Sequence, residues 1–205
     1  MNLLPSQDDV LGILRETGAM RDGHFEYPNG LHSNEYLQVP LAMRYYQHAK
    51  VLSVGLSRLL RSNSVIRAMI PELSVVAPAT AGLPVAYGVC EALRAKQVYW
   101  AEQVGTENPE QRFRQYMEPQ KGEHVVLVDD ILRTGTKLTA LKALLESYGA
   151  IVVGLAVPVF QPLPSMKTFG ETPIYYLSKL EARYYQDADS CALCKAGIPL
   201  EKVLV

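Results

Sequence analysis

No charge of either sign prevails in this chain, because 20 Lys and Arg stand against 21 Asp and Glu. A balanced surface supplies no net field to hold a nucleic-acid backbone or an anionic membrane, and no clustered basic face stands out. An RNA-binding role is therefore disfavoured, and a small-molecule ligand is the better expectation. Apolar runs of bilayer-spanning length are also missing, and the first residues, MNLLPSQDDV, lack the basic-then-apolar order of a secretion signal. Cysteine is scarce: the 3 present, Cys90, Cys191 and Cys194, form no spaced disulfide framework. These absences predict a cytoplasmic protein with free thiols. Internal repeats and low-complexity tracts are absent too. A Walker A loop and the three-glycine dinucleotide fingerprint are both missing, which makes ATP and NAD poor expectations. No Ser-His-Asp or Cys-His pattern suggests a covalent nucleophile.

What is present is enough apolar residue, 48% of 205, to bury the core of one domain with a small appendage. Ser6 with Asp9 three positions on reads as a helix start, Val10, Leu11 and Leu14 recur on one face, and Gly18 ends the helix. In GHFEYPNGLHSNEYLQ, residues 23–38, the turn residues Pro28, Asn29 and Gly30 separate two short aromatic-rich segments, as in a hairpin outside the main sheet. Helical spacing from Tyr45 to Leu60 predicts a helix, LSVVAPA (73–79) a strand covered on both faces, and Leu83 to Arg94 another helix. Gln97 to Ala101 reads as a strand, and the polar stretch 102–115 as a mobile loop. HVVLVDD (124–130) is a second buried strand, followed by a helix ended by Gly149 and the strand IVVGLAVPVF. Strand-helix-strand alternation implies right-handed parallel crossovers, hence an α/β doubly wound parallel sheet flanked by helices.

The chemistry concentrates in VVLVDDILRTGTKLTAL, where an apolar strand ends in two acids and turns through Arg133, Thr134, Gly135 and Thr136 into a helix. Ligands of open α/β sheets bind at such strand ends. Unpaired N–H groups at the start of the following helix, with its dipole, favour a phosphate, and Gly135 lets the backbone close in on it. Thr134 and Thr136 add hydroxyl donors, while Asp129 and Asp130 are acceptors at the distance of a sugar ring. Acids beside a phosphate cradle suggest a ribose phosphate. Residue by residue the same features also suit a strand end and a helix cap; the ordered set is what carries the functional reading.

That ordered set resembles the 5-phosphoribosyl-1-pyrophosphate (PRPP) signature of type I phosphoribosyltransferases. Three further segments are similar to the bacterial orotate phosphoribosyltransferases: GHFEYPNGLHSNEYLQ to their amino-terminal hood, VAPATAGLPVAYGV to their pyrophosphate loop and its helix, and CALCKAGIPL to their carboxyl-terminal tail. The resemblance implies one phosphoribosyltransferase domain over 1–205, with a core of about 46–174, a hood of about 1–45 and a tail of about 175–205. It implies that Asp129 and Asp130 hold the ribose hydroxyls, that Arg133 to Thr136 cradle the 5-phosphate, and that Ala79, Thr80, Ala81 and Gly82 receive the pyrophosphate. Arg112 and Arg114 would meet the pyrophosphate as a loop closes. His32, Ser33 and Gln161 would face the base, and magnesium would ride on the pyrophosphate near Asp130. The implied partners are PRPP, a nucleobase and a second copy of the chain in a homodimer.

Departures from that branch are as informative. Val39 stands where a lysine usually follows the hood glutamine, Gln103 where a basic residue is usual, and Gln161 where an arginine is expected. Losing the arginine that pairs an orotate carboxylate removes a charge-assisted bond of about 1.5–3 kcal/mol, so weak orotate turnover is expected. A PRPP- or nucleotide-sensing protein without turnover is the alternative. Cys191 and Cys194 have the spacing of half a zinc knuckle, with no second Cys/His pair nearby in the sequence to complete four ligands. His24 and His32 suit either a ligand contact or a hydrogen-bonded structural role. Tyr184 and Tyr185 read as packing residues.

Overall fold

The computed structural model describes residues 4–105, 110–181 and 183–203. Helix α1 (Gln7–Glu16) begins as its sequence predicts. The Asp9 N–H donates to Ser6 Oγ at 3.1 Å and the Asp9 carboxylate accepts from the Ser6 N–H at 2.9 Å, a reciprocal cap. Val10 and Leu14, four apart and so on one face, are fully buried. After Thr17 the chain leaves the helix through Gly18, whose φ of +70° suits glycine.

Strands β1 (Met20–Glu26) and β2 (His32–Leu37) form the expected antiparallel hairpin, closed by a Gly30 N–H to Tyr27 carbonyl bond of 2.8 Å. Helices α2 (Pro40–Met43), α3 (Tyr46–Ser62) and α4 (Ser64–Met69) lead into the core. There β3 (Ser74–Pro78), α5 (Leu83–Leu93), β4 (Gln97–Val104), β5 (Glu110–Arg112), β6 (His124–Val128), β7 (Ile131–Leu132), α6 (Thr136–Ser147), β8 (Ile151–Phe160) and β9 (Ile174–Lys179) follow. The chain ends through β10 (Tyr184–Tyr185), α7 (Ala192–Lys195) and β11 (Glu201–Lys202).

The central sheet runs β5-β4-β3-β6-β8, with β7 and β9 also paired to β8, and every pairing except β4 with β5 is parallel. Its central strands β3, β6 and β8 are nearly continuous apolar runs because both their faces are covered. Along β3 and β6, Val75, Ala77, Val126 and Val128 point into one cluster with Leu52 and Leu56 of α3 and Val85 and Val89 of α5. The alternate residues Val76, Val125 and Leu127 point into a second cluster with Leu138, Leu141 and Leu145 of α6. This two-residue alternation makes a three-layer sandwich. From β3 the chain crosses through α5 to one neighbour, and from β6 it crosses through α6 to the other. The carboxyl ends of β3 and β6 therefore flank the point where the winding reverses, where a crevice opens.

Two boundaries differ from the sequence reading. The stretch 102–115 is partly strand: β4 runs on to Val104 and returns as β5, with Glu102 opposite Arg112 and Gln103 opposite Gln111, while 106–109 lie outside the described residues. Its alternating polar residues pair along one exposed edge, so no apolar period marks them. The expected tail boundary near 175 falls inside β9, which lies in the central sheet beside β8. The tail proper comes later and joins the hood in a separate sheet of order β10-β2-β1-β11.

Candidate active site

A cleft of about 400 Å³ lies over the carboxyl ends of β3 and β6. Asp129 and Asp130 follow β6 directly, and β7 then resumes pairing along β8, so the acids are set at the sheet's edge between two paired segments. The Asp129 N–H donates to the Ala156 carbonyl at 3.4 Å and the Asp130 N–H to Asp129 Oδ1 at 2.9 Å. Asp129 is nearly buried; Asp130 stands more open to the cleft. Burial, and then the adjacent Asp130 charge, push the Asp129 carboxyl well above its ordinary value. Burial also raises Asp130, against the lowering hydrogen bonds from Asp129 and the Ile131 N–H and the nearby Arg133 and Lys137 cations.

Helix α6 begins at Thr136 with no side-chain cap, because Gly135 at φ +71° turns the chain sharply into it. The carbonyls of Arg133 and Thr134 accept from the N–H groups of Leu163 and Lys167 at 3.3 and 2.8 Å, which fastens the turn. The start of α6 opens on the cleft with the Thr134 and Thr136 hydroxyls 3.2 Å apart and the Thr136 N–H 3.4 Å from Thr134 Oγ1, an arrangement able to receive an anion. Opposite lies the loop after β3. A Cβ on Gly82 would stand 3.0 Å from the Pro78 carbonyl oxygen and 3.1 Å from Asp129 Oδ1, so a larger residue would crowd the loop against the acid. A Cβ on Gly135, which also lines the cleft, would meet the Phe169 ring at 2.9 Å.

Of the residues expected in the site, Ala79, Ala81, Asp129, Asp130, Arg133, Thr134, Gly135 and Thr136 line the cleft together. Thr80 is exposed between two of them, and Gly82 backs Asp129. The other candidates stand elsewhere. The Arg114 guanidinium pairs with Glu102 at 2.8 Å on the exposed hairpin that also carries Arg112 and Gln103. Ser33 is fully buried, its Oγ accepting from the Glu35 N–H at 3.2 Å. His32 Nδ1 stands 3.0 Å from His24 Nε2, inside the hood. Gln161 is buried and its amide is taken up by protein: Oε1 accepts from Arg133 Nε at 2.8 Å and from the Tyr184 hydroxyl at 2.9 Å, and Nε2 donates to Glu35 at 3.4 Å. Tyr184 is thus more than packing, and burial pushes its hydroxyl to about 12.

Arg133 is the departure with most consequence. Its backbone belongs to the turn, but its side chain leaves the turn for the hood, where Nη2 donates to the Leu37 carbonyl at 3.3 Å and the guanidinium stands 5.5 Å from the Tyr27 ring centre.

The sequence profile of the phosphoribosyl transferase domain matches residues 61–168, a span that holds the loop after β3, both acids and the turn into α6. The chain belongs to the phosphoribosyl transferase domain family. Among curated relatives, orotate phosphoribosyltransferase of Thermotoga maritima is 33% identical over 190 residues, covering 93% of this chain and 94% of that one. The Thermus thermophilus enzyme of the same name is 29% identical over 195 residues, covering 95% of this chain and all of its own. Among solved structures, orotate phosphoribosyltransferase of Aeropyrum pernix superposes with a TM-score of 0.66 at 21% identity, over 83% of this chain and 93% of that one. Adenine phosphoribosyltransferase of Thermoanaerobacter pseudethanolicus gives 0.60 at 18% identity, over 71% and 88%. At those identities the superpositions speak for the phosphoribosyltransferase fold alone.

In this phosphoribosyl transferase domain, the cleft residues that the sequence reading did not single out include Lys137, Leu37 and Gln38. Lys137 lines the cleft one position after Thr136, in the first turn of α6. Its place behind an anion cradle was a usable signal. Leu37 and Gln38, at the end of β2, bring the hood to the cleft, and nothing short of the tertiary fold announces them.

Proposed function

We propose that the whole chain is one phosphoribosyltransferase domain that moves the ribose 5-phosphate group of PRPP onto a ring nitrogen of orotate. The C1–oxygen bond to pyrophosphate breaks as the C1–nitrogen bond forms. The observation that carries this reading is the pair of acids facing an uncapped helix start at the switch point. In it, Asp130 and Asp129 hold the ribose hydroxyls, the α6 N–H groups with Thr134 and Thr136 hold the 5-phosphate, and residues 79–82 receive the pyrophosphate. Fixing the sugar in this way supplies orientation and excludes water from the reacting carbon. The hard carboxylate oxygens of Asp129 and Asp130, side by side at the cleft, suit magnesium as donors. Bound with PRPP near Asp130, the ion would neutralise charge on the leaving pyrophosphate. A homodimer in the cytoplasm completes the reading; no described helix is long and apolar enough to cross a membrane.

The choice of orotate rests on the curated relatives and on Arg133. The three positions where a cation was missed look different in three dimensions. Val39 is fully buried, Gln103 lies on the exposed hairpin, and Gln161 holds the Arg133 guanidinium at the cleft. Arg133 thus restores a positive group beside the site that Gln161 vacates, and the orotate carboxylate pairs with it. Pyrophosphate release from magnesium PRPP should be measured with orotate, uracil and purine bases; orotate should lead. Arg133→Leu should lower kcat/KM for orotate by a factor of about 10–100, the equivalent of ~1.5–3 kcal/mol, with PRPP affinity retained. Orotate turnover untouched by that change would remove Arg133 from base recognition. PRPP binding without turnover of any base would favour the sensor instead.

A further inference from the structure

The hood carries a second cluster of reactive side chains, apart from the cleft. His24 on β1 and His32 on β2 stand beside Cys191, at the start of α7, and Cys194 within it. Their four ligand atoms all lie within 4.8 Å of one another. His24, His32 and Cys191 are buried, and both cysteines are free thiols. The second pair that Cys191 and Cys194 lack along the sequence therefore arrives from more than 150 residues away, across the hood sheet.

The spacings are those of a shared metal ion. With metal–nitrogen bonds of about 2.0–2.1 Å and metal–sulfur bonds of about 2.3 Å, a regular tetrahedron sets nitrogen–sulfur edges near about 3.6 Å and the nitrogen–nitrogen edge near about 3.3 Å. Here Cys191 Sγ and Cys194 Sγ each stand 3.5 Å from His24 Nε2, Cys194 Sγ stands 3.4 Å from His32 Nδ1, and the two nitrogens are 3.0 Å apart. A second observation concerns the outer partner. His24 Nδ1 lies 2.8 Å from the Ile198 carbonyl oxygen, so its N–H donates outward and the Nε2 lone pair is directed to the centre of the cluster.

We propose that His24, His32, Cys191 and Cys194 bind one zinc ion in a closed tetrahedral site. Two thiolates and two imidazoles match zinc's preference, and four protein ligands leave no open position, so the ion is structural. Its work is to fasten α7 to the β1-β2 hairpin. The hairpin continues through Glu35, which accepts from Gln161, to Leu37, whose carbonyl holds Arg133 at the cleft.

The test needs no turnover, so it succeeds or fails separately from the phosphoribosyl reading. The full chain, without a histidine tag and purified under reducing conditions from zinc-supplemented medium, should carry about one zinc by elemental mass spectrometry. Cys194→Ser and His24→Gln should lose it, Cys90→Ser should keep it, and chelation should lower the melting temperature reversibly. Should the variants fail to fold, cobalt exchange into the unmodified protein decides. Intense tetrahedral d–d bands with thiolate-to-cobalt charge transfer support the site. Folded, reduced protein that takes up neither metal, or that loses zinc equally in Cys90→Ser, overturns it, as does a stable Cys191–Cys194 disulfide.

Discussion

The cleft and the hood reach order by different routes. The cleft is built mainly from two short stretches, 78–81 and 129–138, each at a strand end and the helix after it, with Leu37, Gln38 and Pro40 added from the end of the hood. The hood sheet joins a local hairpin, β1 with β2, to strands from 184–202, so the contacts that bring in β10 and β11 close a loop of most of the chain. Such closure carries an entropic cost that a local turn does not. The cleft therefore inherits its geometry from the rigid three-layer core, while the hood depends on specific fasteners: the Arg133, Gln161, Glu35 and Tyr184 network and the His24, His32, Cys191 and Cys194 cluster. Changes in the cleft should cost chemistry with little stability, and changes in the hood should cost stability with little effect on PRPP.

The largest effect that sharpens this contrast belongs to Gly82→Val. Its side chain would press on the Pro78 carbonyl, Ala77 and the Asp129 carboxylate, displacing the strand end or the acid. PRPP-dependent turnover should fall by about 100-fold or more, or ~2.7 kcal/mol, while circular dichroism shows a folded chain. Retained turnover would mean that the loop after β3 is freer than its packing requires.

Asp129→Asn separates charge from shape. Because burial and Asp130 raise the Asp129 carboxyl above its unfolded value, the native state binds its proton more tightly than the unfolded state does. The stability linked to that proton is present below the ordinary carboxylate range and is lost as pH rises through the raised value. The Asn variant carries no such loss. In urea denaturation it should match the wild-type at acid pH and exceed it at neutral pH, while PRPP binding weakens. Parallel pH profiles for the two proteins would refute the linkage.

Tyr184→Phe probes the hood with the smallest effect. It removes the hydroxyl that donates to Gln161 and should cost about 1 kcal/mol of unfolding free energy in denaturant titration, with PRPP affinity unchanged. A large fall in PRPP affinity would join two regions that are here kept apart.

The same contrast explains what the sequence could disclose. Asp129, Asp130 and the Arg-Thr-Gly-Thr turn are legible because four apolar residues, two acids and a turn into a helix stand in one uninterrupted order. The winding of the core follows from its alternating strands and helices. The roles of Gln161 and His32 were beyond reach, since each depends on tertiary contacts: Gln161 with Arg133, Glu35 and Tyr184, and His32 with Cys194. The direction of the Arg133 side chain was hidden for the same reason, although its place in the turn was plain. The β4–β5 hairpin was missed because an exposed two-stranded edge leaves no apolar alternation.

The parallel pairing of β11 with β1, Phe25 beside Glu201 and Glu26 beside Lys202, also sets an order of assembly. As the polypeptide emerges during synthesis, β1 and β2 appear early and α3 through β9 can collapse into the layered core without them. The edges of the hairpin stay unpaired until the residues beyond 184 arrive. Unsatisfied strand edges invite pairing with other chains. A nascent chain stalled after β9 should accordingly present a formed nucleotide cleft and an unguarded hairpin, and be recognised by chaperones through the latter.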